Sequence, residues 1–226
     1  SATTRCSAVE TLSAELTVSG RAGQDRLRSR VLAGLAQPGS VRLEGVAPFG
    51  GPTFILTATP IHSTLLLPRD SRVLVGVAAQ DILDALIGVR LTPDVLRRVL
   101  SGCLVSSSEP VSGRVYGTKW LVVDMRDGDQ NYLQFDNDLP KLVAVRTGNL
   151  LTKYSNFLGA VPRRVQMTRF GVSGDVEVEV TVLLAQIRVN TPVGKEIFSV
   201  DIPTTFAPIT LEDLRSTGPM RDLGGS

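Results

Sequence analysis

The stretch Val41–Cys103 reads VRLEGVAPFGGPTFILTATPIHSTLLLPRDSRVLVGVAAQDILDALIGVRLTPDVLRRVLSGC. Short apolar runs lie on both sides of a loop rich in proline and glycine, Ala47–Pro52. Two further apolar runs follow, and then two segments, 80–88 and 92–102, whose apolar residues recur at helical spacing. This order predicts strands followed by a helix pair. Because such short helices are stable only when packed, we expect the pair to lie on an apolar sheet face.

The predicted helices carry recognisable start and stop signals. Thr92 is a favourable N-cap, and Pro93 suits the first helical position. Gly88 and Gly102 are favourable helix ends. The apolar stripes are Ile82, Leu83, Leu86 and Ile87 in the first helix, and Val95, Leu96, Val99 and Leu100 in the second.

The remainder of the chain alternates between apolar and polar residues, as half-buried strands do. Short connections favour an antiparallel meander. Strands are predicted at 13–21, 26–35, 41–46, 53–59, 63–67 and 72–75, and then at 113–116, 119–125, 130–135, 142–146, 151–157, 163–170, 176–189 and 196–201. Thr210–Asp213 resembles a capping box and predicts a short closing helix.

These elements predict a mainly β protein of the α+β class. We expect an unclosed antiparallel β-barrel, or half-barrel, of about 11 strands, with the helix pair inserted mid-chain as a lid. Residues 1–226 are expected to form one domain, with a short N-terminal helix over 1–12 and a C-terminal tail over 203–226.

Charge gives no case for nucleic acid. The net charge is +2, from 24 basic and 22 acidic residues, whereas phosphate binding needs a concentrated basic surface. Arg26, Arg28 and Arg30 alternate along one predicted strand. They form either a solvated outer face or a patch that meets anionic lipid or an acidic partner.

No pattern indicates catalysis or a cofactor. His62 is the single histidine and has no neighbouring partner for a triad or a metal site. The serines at 106–108 lack a nucleophile elbow. Aspartates cluster near one hairpin, where calcium binding is conceivable but turn formation is the simpler interpretation; they are Asp124, Asp127, Asp129, Asp136 and Asp138. We therefore expect a protein that is not an enzyme, with no cofactor and no metal.

The remaining functional surface is apolar. A half-closed sheet with an aliphatic inner face and a helical lid would form a cavity for acyl chains. The alternative is that helices and sheet fill this space. The residues expected to line the cavity are Leu16, Val18, Val31, Leu43, Phe54, Leu56, Leu65, Ile82, Leu86 and Leu96.

Phe49 is a bulky apolar residue in a loop, where polar residues are usual. Pro48 and Gly50 flank it, so the loop is both stiff and sharply turned. Phe49 either folds back onto the core or projects to contact a membrane or partner. In the second case Pro48, Phe49 and Gly50 would form a membrane-contact loop.

The two cysteines each lie at the end of a predicted helix. Cys6 ends the N-terminal helix and Cys103 follows the second helix of the pair. They fit one disulfide in an oxidising compartment, and buried free thiols are the alternative.

At these residues the chain resembles the LolA/LolB superfamily, and is most similar to its LolB-like outer-membrane lipoproteins. Leu43–Leu56, with Pro48-Phe49-Gly50 at its centre, resembles that family's strand, loop and strand. Asp81–Gly102 resembles its helix pair, and Val161–Val165 resembles the start of a late strand. The cysteine pair and the segment Pro203–Gly218 depart from the family pattern.

The resemblance implies an unclosed barrel with a lipid-sized cavity, in a protein that receives lipoproteins from a LolA-like periplasmic carrier and places them in the outer membrane. Its expected partners are acyl chains and the membrane surface, which Phe49 would enter. The expected location is the periplasm, with anchoring to the outer membrane through an N-terminal lipid upstream of Ser1. Two alternatives stay open: a carrier of another lipid, such as a glycolipid or hopanoid, for an envelope transporter, or a structural envelope-assembly lipoprotein with a filled core.

Overall fold

The computed structural model describes residues 8–47, 49–104, 108–136, 139–218 and 220. In these residues the chain forms fourteen strands, three α-helices and two 3-10 turns. The strands are β1 (Thr11–Ala22), β2 (Asp25–Ala36), β3 (Ser40–Val46), β4 (Ile55–Ala58), β5 (Ser63–Leu67), β6 (Arg72–Val75), β7 (Pro110–Tyr116), β8 (Trp120–Met125), β9 (Gln130–Asp136), β10 (Leu139–Thr147), β11 (Leu150–Leu158), β12 (Val161–Phe170), β13 (Val176–Val189) and β14 (Ala207–Pro208). The helices are α1 (Ala79–Ile87), α2 (Pro93–Leu100) and α3 (Leu211–Thr217), and the 3-10 turns span Pro68–Asp70 and Lys195–Phe198.

All of these strands belong to one sheet, in the order β14-β6-β5-β4-β3-β2-β1-β13-β12-β11-β10-β9-β8-β7. Neighbouring strands are antiparallel, except that β14 runs parallel to β6. Among the described residues the two end strands do not pair with each other, so the predicted unclosed sheet with a mid-chain helix pair is confirmed. The sheet has more strands than the about 11 expected, because the C-terminal residues add a strand and every hairpin pairs within the same sheet.

The strand predicted over 196–201 is wrong. Residues Lys195–Phe198 form a 3-10 turn instead. The guanidinium of Arg42 donates from Nη1 to the Ile197 carbonyl at 2.9 Å and to the Ser199 carbonyl at 3.2 Å. These carbonyls therefore bind a side chain of β3 rather than a neighbouring strand, and Phe198 is buried beneath the turn.

The pairing register of the long strands places their alternating apolar residues on one face of the sheet. Leu16 lies opposite Val31, and Ala33 lies opposite Leu43; all four side chains are buried. The intervening residues point to solvent, as a period of two requires. Arg26, Arg28 and Arg30 are on this outward side and exposed, and Arg30 forms an ion pair with Glu15 of the adjacent strand.

The helix pair covers the apolar face, as expected. The Thr92 hydroxyl accepts a hydrogen bond from the Val95 backbone N–H at 3.3 Å, which caps α2. Gly88 ends α1 with a φ of 73°, and a Cβ at this position would approach Val178 of β13 to 2.9 Å. Glycine is therefore required here both for the left-handed conformation and for the close packing of α1 on the sheet. We call this side of the sheet the helix-covered face.

The C-terminal segment is an integral part of the fold rather than a separate tail. β14 extends the sheet beside β6, and the predicted capping box of Thr210 and Asp213 begins α3. Leu214 is fully buried and Met220 is 4% exposed. Of the predicted tail, residues 219 and 221–226 lie outside the described residues.

The helix predicted over 1–12 does not extend to its expected end. Thr11 and Leu12 belong to β1, where Leu12 pairs with Leu35 and is fully buried. Pairing with β2 on one side and β13 on the other outweighs local helix preference at these positions. Residues 1–7 of the predicted helix lie outside the described residues.

Candidate functional site

The residues predicted to line a cavity all lie on the helix-covered side, in one hydrophobic core. Their exposures range from 0% for Phe54, Leu56, Leu65 and Ile82 to 6% for Leu43; the others are Leu16, Val18, Val31, Leu86 and Leu96. Strands β1–β5 and the two helices bring them together as expected. In this conformation they contact one another as a packed interior, and their role as a ligand cavity stays a prediction.

An apolar track leads from the edge of the sheet into this core. Val115 of β7 pairs with Leu121 of β8, which pairs with Leu133 of β9, which pairs with Leu142 of β10. Side chains of directly paired residues lie on the same face. Val115 is 69% exposed, Leu121 and Leu133 are half-buried, and Leu142 is 6% exposed. The track thus passes gradually from solvent to interior.

The open end of the track is the edge strand β7, all of whose residues are exposed. At the other end of the sheet the strand β6 is covered by β14. The two edges therefore differ, and the apolar face is accessible at β7. Sequence reasoning missed this track because Val115, Leu121 and Leu133 have the ordinary alternation of any half-buried strand.

Polar atoms interrupt the helix-covered face next to the track. The side-chain oxygens Asn131 Oδ1 and Thr152 Oγ1 are buried, and neither has a hydrogen-bond partner among the described residues. Burial raises the pKa of the Tyr154 hydroxyl well above its usual range, against the opposing effects of the Arg98 charge and the Leu104 backbone. Tyr154 is therefore a neutral hydroxyl. Asn131 and Thr152 could have been singled out from the sequence, because each is a polar residue at a position that the strand alternation assigns to the buried face.

The loop of Phe49 projects from the sheet between β3 and β4. The Phe49 side chain is 87% exposed, and its carbonyl accepts a hydrogen bond from Arg69 Nη2 at 2.9 Å. Gly50 follows with a φ of 80°, which favours glycine. Pro48 lies outside the described residues. The exposure agrees with a projecting loop, whereas membrane contact stays a prediction.

Cys103 follows α2 and is 7% exposed. Its predicted disulfide partner, Cys6, lies outside the described residues. The pairing therefore stays a prediction.

The histidine and aspartate residues considered as candidate ligands make local contacts in turns and hairpins. His62 is exposed at the β4–β5 turn, beside a cleft of about 690 Å³ whose rim includes Thr92 and Asp94. Its backbone N–H donates to Thr59 Oγ1 at 3.2 Å. Among the described residues, no cluster of three or more His, Cys, Asp or Glu side chains could hold a metal ion.

The aspartates of the β8–β9 region hold their hairpins together. Hydrogen bonds from Ser112, Gln130 and Arg114 lower the pKa of Asp124. Asp129 accepts from Thr147 Oγ1 at 2.9 Å, and desolvation raises its pKa. Asp138 and the side chain of Asp136 lie outside the description. Asp124 and Asp129 thus bind neighbouring side chains, as the turn interpretation requires.

Comparison with solved structures identifies the fold. The chain is similar to a LolA superfamily protein from Nitrosomonas europaea, with a TM-score of 0.56, 10% identity, and coverage of 84% of this chain and 90% of that one. It is also similar to a DUF1329 family protein from Desulfovibrio piger, with a TM-score of 0.51, 9% identity, and coverage of 87% and 92%. At such identities the likeness is one of fold.

Neither a protein-family profile nor a curated protein matches the chain. In the described part of the chain, no helix has both the length and the apolar character needed to cross a bilayer.

Proposed function

We propose that this chain is a non-enzymatic lipid carrier domain that holds acyl chains on the helix-covered face. The observation that carries the proposal is the apolar track, which connects the exposed edge strand to the core through Val115, Leu121, Leu133 and Leu142. An acyl chain bound along this track would replace water on half-buried apolar surface, which is favourable by about 25 cal/mol per Å². The similarity of the fold to a LolA superfamily protein supports the same interpretation.

The finer proposal is a role in placing lipoproteins in the outer membrane. In this scheme the protein acts in the periplasm, is anchored to the outer membrane by an N-terminal lipid, and receives its cargo from a LolA-like carrier. The exposed side chain of Phe49 supports contact with a membrane surface, because aromatic residues partition favourably into the headgroup region.

A fluorescent-probe titration tests the carrier function. The parent protein is expected to bind N-phenyl-1-naphthylamine with an increase in fluorescence. Leu121→Glu places a charge on the track, and we expect at least about tenfold weaker binding because burying a charge against an apolar ligand is costly. Leu183→Glu is the matched control, since Leu183 is 43% exposed on the outward side of β13.

Two results would contradict the carrier function: a parent protein that binds no probe, or a Leu183→Glu variant that loses binding as fully as Leu121→Glu. Native mass spectrometry of gently purified protein then separates the cargo classes. A retained lipoprotein supports the role in outer-membrane delivery, whereas a retained glycolipid or hopanoid supports a carrier for an envelope transporter.

A structural role is the second candidate, and the packing of the core favours it. Every residue predicted to line a cavity is at most 6% exposed, so side chains already occupy this part of the interior. A scaffold with a filled core would bind no probe, and its melting temperature would not respond to added lipid.

A further inference from the structure

One cross-strand row on the helix-covered face contains polar residues where apolar residues are the rule. Starting from Val180 of β13, the paired positions are Met167 of β12, Thr152 of β11, Val145 of β10 and Asn131 of β9. Exposure is 0% for Val180, 1% for Met167, Thr152 and Val145, and 4% for Asn131. Thr152 and Asn131 therefore lie among fully buried apolar neighbours.

The side-chain oxygens of these two residues are unsatisfied. Thr152 Oγ1 and Asn131 Oδ1 have no hydrogen-bond partner among the described residues, and the buried hydroxyl of Tyr154, on the same face of β11, lies beside the Leu104 backbone. A buried polar atom without a partner is destabilising, and such atoms are rare in native proteins. Two of them on one face of the sheet, on strands β9 and β11, can take a partner that arrives from outside the chain.

The position of the row indicates what that partner is. Asn131 lies two residues from Leu133 on the same face of β9, so the row borders the apolar track. Thr152 and Asn131 are separated by one strand, or about 10 Å at the usual strand spacing. A lipid held along the track would thus place its chain against these oxygens.

The chemistry of the oxygens narrows the ligand class. The hydroxyls of Thr152 and Tyr154 can donate or accept, but the amide oxygen of Asn131 can only accept. An ester or a plain hydrocarbon chain brings no donor to Asn131. A hydroxyl group, an amide N–H or a buried water molecule can satisfy it, and of these the hydroxyl is the group that an acyl chain carries along its length.

We propose that Asn131 and Thr152, with Tyr154 beside them, form a polar subsite that selects lipids whose acyl chains carry a hydroxyl group. This inference rests on the proposed carrier function and specifies its ligand. The subsite holds the hydroxyl by hydrogen bonds inside the fold while the track holds the chain.

The test compares stearate, 3-hydroxystearate and 12-hydroxystearate, which share a carboxylate and a chain length, by displacement of N-phenyl-1-naphthylamine. In the parent protein at least one hydroxystearate is expected to bind about tenfold more tightly than stearate, the effect of one or two buried hydrogen bonds. Asn131→Leu and Thr152→Val are expected to reduce this ratio to near one without weakening stearate binding. Thr152→Ser keeps the hydroxyl and should keep the preference.

Thr168→Val on the outward-facing side of β12 is the matched control and should leave the ratio unchanged, since Thr168 pairs with Leu151 and Glu179 away from the row. Thr152→Val should also melt no lower than the parent, because it removes a hydroxyl that has no partner.

Equal binding of all three acids by a parent that does bind the probe would overturn the subsite while leaving the carrier function intact. A Thr152→Val variant that melts well below the parent and leaves the ratio unchanged would also overturn it, because the hydroxyl is then satisfied by buried water. A parent that binds neither probe nor acid would overturn the carrier function and the subsite together.

Discussion

The two halves of the sheet differ in how tightly their helix-covered faces are packed. In β1–β6, inward side chains such as Leu35, Leu56 and Leu65 are fully buried under the helix pair. In β7–β9, the inward side chains Val115, Leu121 and Leu133 are exposed or half-buried. One half thus supplies a closed aliphatic core, and the other presents apolar surface that water still reaches.

This difference predicts that the filled region mainly determines the stability of the fold, whereas the half-buried region mainly determines ligand binding. A filled interior gains little from a ligand, since its apolar surface is already removed from water, whereas half-buried side chains have surface left to bury. Local opening is also easier where few apolar contacts must be broken. We therefore expect substitutions of inward residues in β1–β6 to affect mainly unfolding, and substitutions of the exposed or half-buried inward residues in β7–β9 to affect mainly ligand binding.

The largest effect is expected from Phe54→Ala. Phe54 is fully buried beneath the first half of the sheet, and removing a buried aromatic side chain costs about 3–5 kcal/mol of unfolding free energy. Val115→Ala removes a mostly exposed side chain from the other half and should cost less than about 0.5 kcal/mol. Urea denaturation measures both, and similar losses for the two variants would contradict the comparison.

The predicted disulfide comes next. A bond between Cys6 and Cys103 would close a loop of about 100 residues, and its removal is expected to cost about 2–4 kcal/mol. Cys103→Ala should lower the melting temperature of oxidised protein and leave reduced protein nearly unchanged. Two titratable thiols in unfolded, unreduced parent protein would show that the bond is not there.

The fold was more predictable from the sequence than the site. The helix pair carries its own signals, in the Thr92 cap and the terminal Gly88, so its position follows from local chemistry. By contrast, β14 is a two-residue strand whose pairing depends on distant β6, and the turn at Lys195–Phe198 depends on Arg42. Long-range partners of this kind leave no local pattern.

The same limit applies to the candidate site. Phe49 could be singled out because a phenylalanine between proline and glycine is locally unusual. The neighbourhood of Asn131 and Thr152 arises from strand pairing, and 21 positions separate them in the chain. Their proximity becomes visible only when β9, β10 and β11 are in register.

The melting temperature is expected to depend on pH through the N-cap of α3, the helix that follows the edge strand β14. Hydrogen bonds from the backbone N–H and hydroxyl of Thr210 lower the pKa of Asp213 below its usual 3.8. A lowered folded pKa stabilises the fold fully above pH 3.8, and this contribution is lost as the pH falls through the folded-state value. The parent should therefore lose more melting temperature between pH 6 and pH 3 than Asp213→Asn does. Equal losses would mean that the cap does not couple to unfolding.

The smallest stability effect, and a large functional one, is expected at Phe49. A side chain that is 87% exposed has few packed contacts to lose, so Phe49→Ala and Phe49→Glu should each change the unfolding free energy by less than about 0.5 kcal/mol. Association with vesicles of phosphatidylcholine and phosphatidylglycerol should nevertheless fall, and more for Glu than for Ala because a carboxylate resists transfer into the interface.

Val172→Glu is the matched control, since Val172 is fully exposed in the β12–β13 turn. Sedimentation of protein with vesicles measures the association. If Phe49→Glu and Val172→Glu sediment like the parent, the loop does not contact the membrane, and an acyl ligand must reach the β7 edge by another route.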